Sequence, residues 1–178
     1  GVEYQREYFA NYPDNVIAVK LKASQPGMMT FTVRPVLPYL HPFDNEQNGR
    51  SGYVHSQNDL ITLEGEMQYF HLAYEGQIKV VNYGGTTTCS GKEGEPATIS
   101  INKADSVVLY ISAATSYQLQ DSVFLLPNAD KFKGNALPHD KVAKCIRAAT
   151  EKGYERLRQE HIADYQRLFN RVNFSLTD

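Results

Sequence analysis

Two carboxylates spaced two residues apart, Glu64 and Glu66, are the first side chains in this chain whose types and spacing could do chemistry. In an extended strand they would share a face. A carboxyl pair of that kind can hydrolyse a glycoside, one member protonating the leaving oxygen while the other activates water or attacks. The same spacing is also ordinary on a solvated strand face, and hydrolytic pairs usually come from different elements. His41, His55 and His71 stand fourteen and sixteen residues apart, which matches no ligand motif, so the metal set is empty. Cys89 and Cys145 lack any CxxC or Cys/His spacing and read as buried or inert thiols. Neighbouring Arg6 and Glu7 point to opposite faces of a strand, where a structural ion pair with adjacent strands suits them better than a joint catalytic role. His139 stands beside a helix start and His161 within an apolar helical stripe, both as structural imidazoles. Gly84-Gly85-Thr86 lacks the strand-to-helix context of a phosphate cradle, and no GxSxG, HExxH or P-loop pattern occurs. The residues alone therefore nominate no catalytic set and no cofactor. Tyr39, His41, Phe43 and Tyr53 either stack on a ligand or pack on one another, which leaves the binding residues unassigned.

The elements that would carry these side chains are mostly strands. Tyr4 to Asn11 mixes aromatic and polar residues on both faces, Pro13-Asp14-Asn15 reads as a turn, and Val16 to Leu21 is β-rich, which together predict a hairpin. Gln25-Pro26-Gly27 is the next turn, before an alternating run from Met29 to Val33. Pro35 to Asn58 reads as a long loop. Short strands are predicted at 60–63, 69–74 and 77–82, separated by reversals at Gly65 and at Glu75-Gly76. Further strands follow at 86–89, 98–101 and 107–114, the last so continuously apolar that burial on both faces is expected. From Pro138 the period changes. Val142, Ile146 and Ala149 form one helical face, Gly153 interrupts, and Tyr154, Leu157, His161, Tyr165 and Leu168 form a second. Arg171 to Leu176 alternates once more, as a returning strand. The fold class is thus mainly β: a large antiparallel β-sandwich, with residues 1–137 as the sandwich portion, 138–170 as a helical linker and 171–178 as a returning strand.

The bulk numbers agree with a single folded domain. The chain has 178 residues, 42% of them hydrophobic and 21% charged, with a net charge of −2. That size suffices for one sizeable core. Eighteen basic against twenty acidic residues provide no cationic field for a polyphosphate, so no nucleic-acid partner is expected. No apolar run approaches the ~18 residues of a membrane span, and no signal-peptide pattern opens the chain. Twelve Tyr and eight Phe without a single Trp count against a dedicated lectin-like module, since sugar platforms often include Trp.

Four blocks nevertheless carry a family resemblance. Tyr4-x-Arg6-Glu7-Tyr8-Phe9-Ala10-x-Tyr12-Pro13-Asp14-Asn15-Val16-Ile17 resembles a signature inside the N-terminal β domain of glycoside hydrolase family 95, the α-L-fucosidases and related α-L-galactosidases. Pro26-Gly27 with Phe31-Thr32-Val33 is similar to the family's next hairpin. Ala104-Asp105-Ser106-Val107-Val108-Leu109 with Ala114-Thr115-Ser116-Tyr117 resembles its central strand. Gly153-Tyr154-x-x-Leu157 with His161-Ile162-Ala163-Asp164-Tyr165-Gln166-x-Leu168-Phe169-x-Arg171-Val172 resembles its connecting helix. The resemblance implies a supersandwich-like domain cut out of a longer enzyme, with the acid and base residues on an (α/α)6 barrel absent from this chain. It further implies a parent that cleaves terminal α-L-fucosyl or α-L-galactosyl linkages with inversion, without metal or organic cofactor, in a secreted or periplasmic setting. Expected partners are the barrel of the same polypeptide and, through the parent, fucosylated glycans; a truncated sheet edge would favour self-association.

Overall fold

The computed structural model describes residues 1–37, 49–91 and 97–176. Among them, nine strands form two antiparallel sheets. The larger sheet contains β1 (Tyr4–Asn11), β2 (Val16–Ala23), β4 (Arg50–Gln57), β5 (Leu60–Met67), β6 (Leu72–Tyr83) and β9 (Ser106–Thr115), in the spatial order β1-β2-β9-β6-β5-β4. The smaller contains β3 (Met29–Val33), β7 (Thr86–Ser90) and β8 (Thr98–Ala104), in the order β3-β8-β7. After β9 come a single turn of helix, α1 (Ser122–Leu125), then α2 (His139–Lys152) and α3 (Tyr154–Phe169). No helix among the described residues is long and apolar enough to cross a membrane.

The larger sheet carries an apolar core on each face, and each core has its own cover. Inward, Ile61, Val80 and Val107 pack with Met29, Ile99, Ile101 and Ala104 of the smaller sheet. Outward, Val16, Ala18, Val108 and Tyr110 pack with Val142, Ile146 and Ala149 of α2 and with Tyr154 and Leu157 of α3. Strand β9 lies at the centre, between β2 and β6, and contributes to both cores. That is the cause of the unbroken apolarity of Val107 to Ile111: with both faces covered, alternation has nothing to distinguish. Each fully buried aliphatic side chain here contributes roughly 1.5–3 kcal/mol.

The helices obey their 3.6-residue period. Val142, Ile146 and Ala149 are buried on α2, and Tyr154 and Leu157 on α3. Gly153 separates them at φ 80°, a left-handed conformation that a side chain would oppose. Asp140 in the first turn of α2 and Lys152 in its last turn both suit the helix dipole.

Three expected features differ in the structure. Residues 50–57 are strand β4, paired in full register with β5, where a loop reaching Asn58 was expected. The mixed polar composition of β4 reflects its place at the sheet edge, where pairing to one neighbour suffices. Gly65 and Glu75-Gly76 are not reversals, because β5 and β6 each run unbroken through them; the real turn lies at residues 68–71. Gly65 is there for a close approach. Tyr74 of β6 reaches over it to donate its hydroxyl to the Ser51 carbonyl at 3.0 Å. A Cβ at Gly65 would collide with Ser51 O, the Tyr74 hydroxyl and Gly52 Cα. Finally, Arg171 to Leu176 forms no strand: Val172, Phe174 and Leu176 are exposed, and a period-2 pattern makes a strand only when a sheet edge is in reach.

Candidate functional site

Register decides which polar residues meet. Tyr53 of β4 faces Glu64 of β5, which faces Glu75 of β6, while Ser51 faces Glu66, which faces Ala73. All project on the outer face of the larger sheet, beside the start of α2. There they line an open groove of about 280 Å³ with Tyr74, Leu137 and His139.

Each of the three carboxylates has an imidazole partner. His139 Nδ1 lies 3.0 and 3.1 Å from the two oxygens of Glu75. His71 Nδ1 is 2.9 Å from Glu66, and His55 Nδ1 is 3.8 Å from Glu64. The register sets Glu64 directly opposite Glu75, and each has a histidine ring beside it. Glu75 is buried to 3% exposure and also accepts from Gln77 Nε2 at 2.8 Å. It therefore anchors the start of α2 to the sheet. Tyr53 is 60% exposed and stacks on His55, with ring centroids 5.6 Å apart. A hydrogen bond to Glu64, then burial, then the charges of Glu64 and Glu75 hold its phenol above the ordinary value.

A second cluster fastens α3, and its strand side is built from the first twenty residues. Glu7 accepts from the Tyr154 hydroxyl at 2.8 Å and lies 3.8 Å from Arg158. Phe9 meets the rings of Tyr154 and His161 at 5.5 and 5.0 Å. Asn11 is buried; its amide donates to the Leu157 carbonyl at 2.9 Å, and its oxygen accepts from Asp14 N at 2.9 Å. Lys152 Nζ joins Asp14 at 2.6 Å and also pairs with Glu160. Its pKa is raised, first by the hydrogen bond to Asp14 and then by that to Glu160. Lys20 bonds Glu155 at 2.6 Å and sits 4.5 Å above the Tyr154 ring. Burial, the bond to Glu7 and nearby charge push the Tyr154 phenol far up.

The ion-pair expectation for Arg6-Glu7 is thus corrected in its partner: Glu7 reaches a helix and not another strand, because α3 crosses the outer face of β1. His161 is half-buried and stacks on Phe9 from its place in the apolar stripe. Cys145 is half-buried but Cys89 is exposed, so burial does not describe both thiols. Of the proposed stacking set, Tyr39, His41 and Phe43 lie outside the described residues, while Tyr53 belongs to a strand. Among the described residues no cluster of three or more His, Cys, Asp or Glu is placed to hold a metal ion. Sequence reasoning missed the pairing of Glu75 with His139, which are separated by 64 positions and by a change of period.

Comparison with known families bears on the same span. A family model described as glycosyl hydrolase family 65, N-terminal domain, matches residues 1–120. The chain belongs to this family of N-terminal domains. It is 27% identical over 199 residues to alpha-L-fucosidase 2 of Arabidopsis thaliana, covering 99% of this chain and 21% of that protein. It is likewise 27% identical over 180 residues to a probable alpha-fucosidase A of Aspergillus niger, covering 98% of this chain and 20% of that one. The chain thus spans about a fifth of the length of these curated relatives. Both alignments run past the family match and take in the helices, so the fastening of α3 to β1 lies within the shared region of this glycosyl hydrolase N-terminal domain.

Proposed function

We propose that this chain is the non-catalytic N-terminal domain of an α-L-fucosidase-like glycoside hydrolase of the family 95 type, and that it braces an (α/α)6 catalytic barrel in the same polypeptide. The observation that carries this reading is the match of nearly the whole chain to about a fifth of two proteins named as α-fucosidases. The local chemistry supports it. Glu64, Glu66 and Glu75 are each engaged by a histidine, and the buried Glu75 holds α2 in place. The complete enzyme hydrolyses terminal α-L-fucosyl or α-L-galactosyl linkages with inversion, an acid protonating the departing oxygen while a water activated by a base attacks from the opposite side. Those two carboxyl groups belong to the barrel, and the present domain contributes a rigid support.

The test is to incubate the 178-residue chain with 2′-fucosyllactose for a day while monitoring free fucose and saturation transfer by NMR, in parallel with the complete polypeptide. Release by the complete polypeptide and none by the chain is the expected result. Fucose freed by the chain alone would overturn it. A second reading, a carbohydrate-binding module, is favoured by the exposed Tyr53 ring beside Glu64 in an open groove. Saturation transfer without release, abolished by Tyr53→Ala, would select that reading.

A further inference from the structure

The connection between β9 and α2 carries apolar side chains that the described domain does not use. Leu119, Phe124, Leu125 and Leu137 are 72–79% exposed and Leu126 is 43% exposed. No residue of α1 is buried, although its sequence is Ser-Val-Phe-Leu. An unanchored loop would turn such side chains inward, and several observations show that this connection is anchored. Ser116 N donates to the Ala73 carbonyl at 2.9 Å, and Ala73 N returns a bond to the Ser116 hydroxyl at 2.9 Å. Further along, Phe132 is buried against Tyr117, with ring centroids 5.4 Å apart. Asn135 donates to the Ser116 carbonyl and Asn128 to the Tyr69 hydroxyl, each at 2.9 Å. The segment is therefore pinned at both ends and in the middle, with one aromatic turned in and the remaining large apolar side chains turned out. Apolar exposure concentrated in one anchored segment, residues 119–137, is what an interaction surface requires.

We propose that Leu119, Phe124, Leu125, Leu126 and Leu137 form the surface on which the remaining domain of a longer polypeptide docks, through an apolar face of its own. The occupant follows from proportion. The curated relatives are about five times as long as this chain, and their alignments cover 98–99% of it, so the connection lies inside a region shared with far larger proteins. This inference rests on the reading of the chain as one domain of such an enzyme, and it adds the surface by which the brace is made.

The test is hydroxyl-radical footprinting of residues 119–137 in the 178-residue chain and in the complete polypeptide, with the double variant Phe124→Ser/Leu125→Ser made in both. In the chain alone, Phe124 and Leu125 label heavily, and the variant shifts Tm by about 2 °C or less, as a change to unburied side chains should. In the complete polypeptide their labelling falls several-fold, and the variant lowers Tm by clearly more than in the chain. Equal labelling in the two forms would overturn the proposal. So would protection that appears in the chain alone and grows with its concentration, since a second copy would then be the occupant. Fucose release is read on the same samples: release without protection removes this surface but leaves the functional reading intact, and protection without release does the reverse.

Discussion

Asn11 shows how much one side chain can hold. It lies on β1, 146 positions from Leu157, and its amide satisfies a helix carbonyl while its oxygen caps the turn at Asp14. Asn11→Ala removes both bonds of this buried side chain and leaves the Asp14 N–H without its acceptor, so a loss of roughly 1–3 kcal/mol is expected in urea unfolding monitored by circular dichroism. Tyr110 makes a different prediction. It is 1% exposed, and burial, with a smaller contribution from Tyr83, pushes its phenol up to about 12. The folded form thus keeps its proton in a range where the unfolded chain, near pH 10, begins to lose it. Stability from this group is complete below pH ~10 and is lost as pH rises toward 12. An alkaline titration of ellipticity should show this decline, and Tyr110→Phe should flatten it; an identical profile for the variant would refute the assignment.

At the scale of single elements, β5 and β1 carry separate expectations. Gly65→Ala places a methyl group against backbone on β4 and the Tyr74 hydroxyl, and forced contacts of that kind cost typically 1–3 kcal/mol. Thermal unfolding of Gly65→Ala against wild type measures the penalty, and an unchanged Tm would show that β4 moves aside freely. Among the described residues strand β1 pairs only with β2, which leaves its other edge without a strand partner there, with Tyr4 and Tyr8 exposed beside it. An edge eight residues long, without proline, invites pairing with another chain. The isolated chain is expected to self-associate at high concentration by light scattering, and Tyr8→Lys to weaken that association. A monomer at all concentrations, with slow amide exchange from Tyr4 to Leu21, would contradict this.

For the whole molecule, the question is whether the sandwich and the helices are one unit. The outer core is shared between the sheet and α2 and α3, and Asn11, Glu7, Asp14 and Glu75 each tie a strand or turn to a helix. Unfolding is therefore expected to be a single transition, with far-ultraviolet and near-ultraviolet signals coincident. Leu157→Ala, at a fully buried position, should lower that transition as a whole by about 2–5 kcal/mol. Two separated transitions would mean that the helices are an appendage to the sandwich. The sequence by itself determined the β class, the helices α2 and α3 with the buried faces at Val142, Ile146 and Ala149 and at Tyr154 and Leu157, and the double burial of β9, because period and apolarity are local properties; that Tyr165 and Leu168 of the same α3 stripe stay exposed depends on what packs against them. It also carried the blocks by which the family is visible. Only tertiary structure decided that Gly65 and Gly76 lie within strands, that residues 50–57 pair, and that Arg171 to Leu176 does not. Strand pairing depends on which edge comes within reach, and no local pattern contains that information. For the same reason the pairing of Glu75 with His139, and the grip of Tyr4 to Asn15 on α3, became visible only once distant segments were brought together.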